Sequence, residues 1–176
     1  MSLFDRVCEA ALDNYGLVTA SQAVAAGVRM KDVAEWVKSG RLEKCGRGVY
    51  RLVHCLPTEY DRYAEAVALV GPDSHVWGES VLAMHNLAMV NPARITVAAG
   101  RRCRRRLPDW VCVIRRPKDA VLDDYNGIPC ENLAAAIRGA RGTVMPHRLS
   151  QAVREAAVRG LLGVAEARAL RKEFAR

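Results

Sequence analysis

Patterns that define several common protein classes are missing from this sequence. No stretch approaches the roughly 18 consecutive apolar residues of a membrane-spanning helix, and the opening MSLFDRVCEAALDN has acids where a secretory signal has a basic end and an apolar core. The six cysteines never form a CxxC pair, which argues against a zinc ribbon or a redox motif. We therefore expect a globular cytoplasmic protein with reduced, mostly buried thiols, no metal site and no membrane partner.

Catalytic signatures are missing as well. No phosphate-binding glycine loop precedes a helix, and the Gly-Ser plus paired-aspartate signature of a nucleotidyltransferase does not occur. Pro72-Asp73 and Pro108-Asp109 hint at a nuclease motif, but neither is followed by the acid, spacer and lysine that such a motif needs. The four histidines are scattered, and we interpret His85, in SVLAMHNL, as a core residue. We expect a protein that is not an enzyme and has no cofactor.

Basic residues outnumber acidic ones, and they are concentrated in part of the chain. The chain of 176 residues has a net charge of +8. Residues 1–56 carry eight basic and six acidic side chains. Residues 57–100 carry two basic and five acidic side chains, whereas residues 101–118 carry eight basic side chains and one acidic one. Such a distribution favours a polyanionic partner.

A change of pattern near Pro57 divides the chain into two predicted domains, 1–56 and 57–176. The first reads as helices followed by a strand hairpin. The second mixes helices and strands, and it ends in three helices, near 131–139, 146–159 and 163–174. Its other predicted elements are helices near 58–70 and 79–88, strands at Ile95–Ala98 and Val111–Arg115, and a short strand pair that turns at Asp123–Gly127. The fold class is therefore α+β.

The first domain has the order of a helix-turn-helix. Thr19 is a good N-cap for a short helix, Ala20–Ala26, and Gly27 supplies a left-handed residue for a tight turn. A third helix, Met30–Ser39, places Lys31, Glu35 and Lys38 on a ridge opposite its apolar side. Such a ridge can enter a major groove.

A basic hairpin follows the third helix in the stretch SGRLEKCGRGVYRL. Its predicted strands are Arg41–Cys45 and Val49–Leu52, and Arg47 stands between two glycines at the tip. A basic wing of this kind lies along the DNA backbone, with its tip at a phosphate or in the minor groove. The other interpretation is a solvated hairpin that closes a small core. The candidate DNA-binding residues are Arg29, Lys31, Lys38, Arg41, Lys44, Arg47 and Arg51.

The densest charge lies in GRRCRRRLPDW, residues 100–110. Two apolar strands flank it, so we expect a hairpin loop, exposed because its arginines repel one another. This arginine segment is either a solvated loop or a patch for nucleic acid or an acidic protein, and the sequence does not choose between them. The candidate accessory residues are Arg101, Arg102, Arg104, Arg105 and Arg106.

These residues carry a resemblance to a known family. The run GLVTASQAVAAGVRMKDVAEWVKSGRLEKCGRGVYRL resembles the N-terminal winged helix-turn-helix of the AbiEi antitoxins of type IV toxin-antitoxin systems. The stretches ESVLAMHNLAMVNPARITVAAGRRCRRRLPDWVCVIRR and YNGIPCENLAAAI are similar to the C-terminal region of that family.

The resemblance implies that the winged domain binds operator DNA and represses its own operon. It also implies that the C-terminal domain counters a nucleotidyltransferase toxin without forming a stable complex with it. The alternative is a winged helix that serves as a protein- or RNA-interaction module, with no antitoxin role.

Overall fold

The computed structural model describes residues 2–174. The first predicted domain begins at Met1 and the second ends with Ala175 and Arg176, and these three residues lie outside the described residues. The chain divides into two compact units, Met1–Pro72 with Cys103–Leu107, and Asp73–Arg102 with Pro108–Arg176. The first unit therefore extends beyond the predicted boundary at residue 56, because a helix that follows Pro57 packs on it.

The first unit contains four helices and a three-stranded antiparallel sheet of order β1-β3-β2. The predicted winged helix-turn-helix and the α+β class are confirmed, although the sequence analysis missed the first strand. The elements of this unit are α1 (Leu3–Leu12), β1 (Leu17–Thr19), α2 (Ala20–Ala25), α3 (Met30–Lys38), β2 (Leu42–Gly46), β3 (Val49–Leu52) and α4 (Asp61–Val70).

Local sequence signals explain the helix-turn-helix. Thr19 caps α2, accepting from the Gln22 amide at 3.2 Å, while the Gln22 side chain accepts from the Thr19 amide at 2.8 Å. Gly27 has a φ of +81°, the left-handed conformation predicted for the turn. Val33 on α3 is buried in the small core, and the Trp36 ring packs edge-on against Phe4 at 5.0 Å. These contacts fix α3 by its apolar side.

The second unit is built on a five-stranded mixed sheet of order β6-β5-β4-β8-β7. Apolar side chains of the sheet and of the final helices form its core, as the burial of Val97, Ile137 and Leu149 shows. The three-residue strand β4 was not predicted. The elements are β4 (Ser74–Val76), α5 (Glu79–Met84), β5 (Ile95–Ala99), β6 (Val111–Arg115), β7 (Leu122–Tyr125), β8 (Ile128–Glu131), α6 (Leu133–Gly139), α7 (Pro146–Val158) and α8 (Val164–Phe174).

The connection from β5 to β6 is not the predicted hairpin. The two strands pair in parallel, with Ile95 opposite Val111 and Ala99 opposite Arg115. The chain must therefore return along the full length of β5 before β6 begins, and residues 100–110 make that crossover. The hairpin prediction was wrong because the apolar pattern of a strand does not give its direction.

Helix α5 ends at Met84, earlier than the predicted residue 88. The next residues include Asn86 and Ala88, whose φ values are +52° and +51°. Charged side chains of α7 hold this segment. Glu155 accepts from the Ala88 amide at 2.6 Å, and Arg148 donates to the Ala88 carbonyl at 2.9 Å. Tertiary contacts therefore end the helix where the sequence pattern continues.

Glu131 is a buried carboxylate at the end of β8. Its side chain is 4% exposed, and it accepts from the Gly78 amide at 3.0 Å. Burial raises the pKa of Glu131 to about 7, and the Gly78 hydrogen bond offsets only part of that effect. The folded state therefore binds a proton more tightly than the unfolded state does, and stability falls as pH rises from the ordinary carboxyl pKa toward 7.

We predict that Glu131→Gln stabilises the protein above pH 7 by about 1 to 3 kcal/mol, because an amide carries no charge to bury. The gain should shrink toward pH 4.5. Denaturant unfolding of both proteins at a series of pH values measures this, and the exposed Glu59→Gln is the control. A gain that does not depend on pH would contradict the prediction.

Candidate nucleic-acid interface

Helix α3 presents its polar side to solvent. Lys31, Glu35 and Lys38 are exposed, and Val33 on the opposite side is buried. Met30, which the periodicity places on the apolar side, is 40% exposed. The exposed ridge thus consists of two lysines and one acid, a composition suited to phosphate and base-edge contacts in a major groove.

Arg29 occupies the N-cap position of α3 without making a side-chain cap bond. Its guanidinium donates to both carboxylate oxygens of Asp32, at 3.0 and 3.2 Å. The Arg29 hydrogen bond lowers the pKa of Asp32. The arginine side chain is 66% exposed, so it stays accessible to a phosphate at the start of the helix.

Residues 42–52, which we call the wing, carry two exposed cations. Lys44 lies on β2, and Arg47 lies in the turn where Gly48 has a φ of +71°. Arg41, just before the wing, is exposed and lies over the Phe4 ring at 4.7 Å. These three side chains provide basic groups beside α3 in the same unit.

Arg51 differs from the other predicted DNA contacts. Its guanidinium donates to Asp61 at 2.5 Å and to Glu65 at 2.8 Å, and its side chain is 18% exposed. Because two carboxylates of the same unit already bind it, we leave Arg51 out of the candidate contact set. These partners were not predicted from the sequence, although acids four residues apart share one face of a helix.

The five arginines of the arginine segment are exposed, as its charge density predicts, whereas Cys103, Leu107 and Trp110 are partly buried. Arg101, Arg102, Arg104 and Arg106 offer unshielded cations to solvent. Arg105 is also exposed, and it donates to the Leu69 carbonyl in the last turn of α4 at 3.1 Å. That carbonyl is one of the acceptors that a helix leaves unpaired at its C-terminal end.

Within residues 2–174, no three histidine, cysteine, aspartate or glutamate side chains are grouped so that they could hold a metal ion. Burial and the nearby Arg159 lower the pKa of His85 to about 4. His85 is therefore a neutral core residue at pH 7, as the sequence analysis interpreted it. Of the described helices, none has the length and apolarity that crossing a membrane requires.

A winged helix-turn-helix with exposed basic residues on its third helix and wing is typical of proteins that bind DNA. Residues 5–53 match the family model described as "Transcriptional regulator, AbiEi antitoxin". The resemblance drawn from the sequence is therefore confirmed over these residues, which run from α1 to just beyond the wing.

Two further comparisons concern proteins of curated function and solved structures. No protein of curated function matches the sequence. Among solved structures, the chain is similar to a crystal structure of the RV2827C protein from Mycobacterium tuberculosis, with 16% identity and a TM-score of 0.41, over 97% of this chain and 80% of that one.

We predict that replacing Lys44 and Arg47 together by alanine weakens DNA binding broadly and leaves the fold intact. Each lost phosphate contact reduces the slope of log K against log salt by about 0.9. Fluorescence anisotropy at several salt concentrations measures the slope, and circular dichroism checks the fold. An unchanged slope would remove the wing from the interface.

Lys31 should contribute to sequence preference. If the α3 ridge lies in the major groove, Lys31→Ala costs about 1 to 3 kcal/mol on the preferred operator and less on random DNA. Competition binding with both DNAs measures the difference. An equal loss on both would assign Lys31 to a phosphate instead of a base.

Proposed function

We propose that this protein is a DNA-binding autorepressor and the antitoxin of a type IV, AbiE-like toxin-antitoxin system. The observation that carries the proposal is the family match over residues 5–53, which coincides with the winged helix-turn-helix. Its preferred DNA is the operator of its own operon, and its place of action is the cytoplasm.

In this proposal α3 reads the major groove and the wing follows the backbone. The exposed Lys31 and Lys38 enter the groove, while Lys44 and Arg47 bind phosphate or the minor groove. Arg29 and Arg41 add phosphate contacts at the edges of the interface. All six side chains belong to the first compact unit, so a single rigid element can present them.

The antitoxin action belongs to the part of the chain after residue 56, and it counters a nucleotidyltransferase toxin without a stable complex. The support is the resemblance of the central and C-terminal stretches to the AbiEi C-terminal region. The exposed arginine segment is the candidate accessory surface there, since its charge has no acidic partner close in sequence other than Asp109.

Two activities should respond to different substitutions in the full-length protein. Lys44→Ala with Arg47→Ala should abolish repression of a reporter under the protein's own promoter, while protection from the toxin gene of the same operon is kept. Replacing all five arginines of the arginine segment by glutamine should reduce protection if that segment is functional. Reporter fluorescence and growth after toxin induction are the measurements.

The same assays can reject the proposal. Absence of salt-dependent binding to the DNA upstream of the gene would favour a protein- or RNA-interaction module. Protection that depends on the wing and not on the C-terminal part would contradict the division of labour.

A further inference from the structure

One face of α4 is directed at the wing. Asp61, Glu65 and Leu69 follow one another at intervals of four residues, so they lie along a single side of the helix. Each of them has a partner in the wing. Asp61 and Glu65 bind Arg51 of β3, and Leu69 packs against Gly46 of β2. The helix therefore contacts both wing strands.

Gly46 is a point of close approach between the wing and α4. A Cβ at this position would overlap the Cδ2 atom of Leu69. The β2–β3 pairing is also irregular here, because the register shifts between Lys44 and Gly46. A bulge bends a strand, and a glycine lets another element come close to the backbone. Both features fit a strand that is bent against a supporting helix.

The two carboxylates that pair with Arg51 are largely buried. The Asp61 side chain is 9% exposed and that of Glu65 is 18% exposed. Asp61 also accepts from the Thr58 amide at 3.0 Å and from the Thr58 hydroxyl at 2.6 Å, which fixes the carboxylate at the start of α4. Turning Arg51 toward a DNA phosphate would leave two largely buried carboxylates without their cation, at a large cost.

We propose that α4 is the supporting helix of the wing and that Arg51 is a positioning residue, which sets the wing on α4 and does not contact DNA. The proposal rests on the proposed DNA-binding function. It moves residues 57–70, which the predicted boundary at residue 56 placed in the C-terminal domain, to the DNA-binding part of the protein, beyond the family match that ends at residue 53.

A positioning role for Glu65 predicts a change in DNA affinity opposite in sign to the change that charge alone predicts. Removing an acid from a DNA-binding protein lowers the repulsion from phosphates, so a neutral Glu65 should tighten binding if the side chain acts only through charge. If Glu65 positions the wing through Arg51, the same substitution weakens operator binding. Glutamine keeps an oxygen that accepts from Arg51, so Glu65→Gln should remain folded.

The experiment measures operator binding by full-length Glu65→Gln and by a matched control, Glu59→Gln. Glu59 is exposed and lies just before α4. We expect Glu65→Gln to weaken binding by roughly fivefold or more, as for coupled contact pairs, and Glu59→Gln to leave it unchanged or slightly tighter. Equal or tighter binding by Glu65→Gln would overturn the proposal.

A second variant tests Arg51 directly. Arg51→Gln should weaken operator binding, and adding Glu65→Gln to it should cost little more, since both changes break the same contact. Losses that simply add in the double variant would mean that Arg51 acts on DNA independently of Glu65, and would overturn the proposal.

A measurement without DNA separates this inference from the proposed function. In amide NMR spectra of the free protein, the Gly46 and Gly48 resonances should shift in Glu65→Gln and not in Glu59→Gln. If wild type fails to bind DNA, the proposed function fails, and these shifts still report whether α4 positions the wing. If wild type binds DNA and the glycine resonances do not move, the positioning role alone is rejected.

Discussion

The pairing of Arg51 with two carboxylates of α4 determines how the first unit is assembled. A three-stranded sheet with a short hairpin has little core of its own, and one face of the wing needs a partner. Helix α4 supplies that partner through Asp61, Glu65 and Leu69. The apolar core around Val33 also contains Leu42 and Leu52 of the wing, and the ion pairs add a polar contact between the wing and α4. Helix α3 is thus held by apolar packing, and the wing by apolar packing together with ion pairs.

The second unit uses charged side chains in a similar way. Glu155 and Arg148 of α7 bind the backbone of Ala88, and Arg159 donates to the carbonyl of His85 at 2.5 Å. Non-glycine residues in the left-handed region are costly, and surrounding contacts must compensate. In both units, charged side chains link a helix to a neighbouring segment in addition to the apolar packing.

Local signals in the sequence predicted much of the first unit. Thr19 and Gly27 act on their own neighbours, so the helix-turn-helix can be predicted without knowledge of the rest of the chain. The glycines that flank Arg47 likewise predict the turn between the two strands of the wing.

Features that depend on distant partners were not predictable in the same way. The parallel pairing of β5 with β6 and the early end of α5 are set by elements far away along the chain. The role of Arg51 belongs to this group, since a wing arginine looks the same in sequence whether it faces a phosphate or a carboxylate. The charge pattern alone therefore does not distinguish Arg51, which binds two carboxylates of α4, from cations that stay exposed, such as Lys44 and Arg47.

The parallel crossover has a consequence for how the protein tolerates change in chain length. A hairpin loop can be shortened to two residues, but residues 100–110 must cover the length of the five-residue strand β5, about 17 Å, before β6 can begin in register. Because β6 is an edge strand held by β5 alone, a deletion here would pull it from the sheet. Insertions at the exposed positions of this segment lengthen the connection without changing the register of β6. The segment richest in arginine can thus lengthen at those positions more easily than it can shrink.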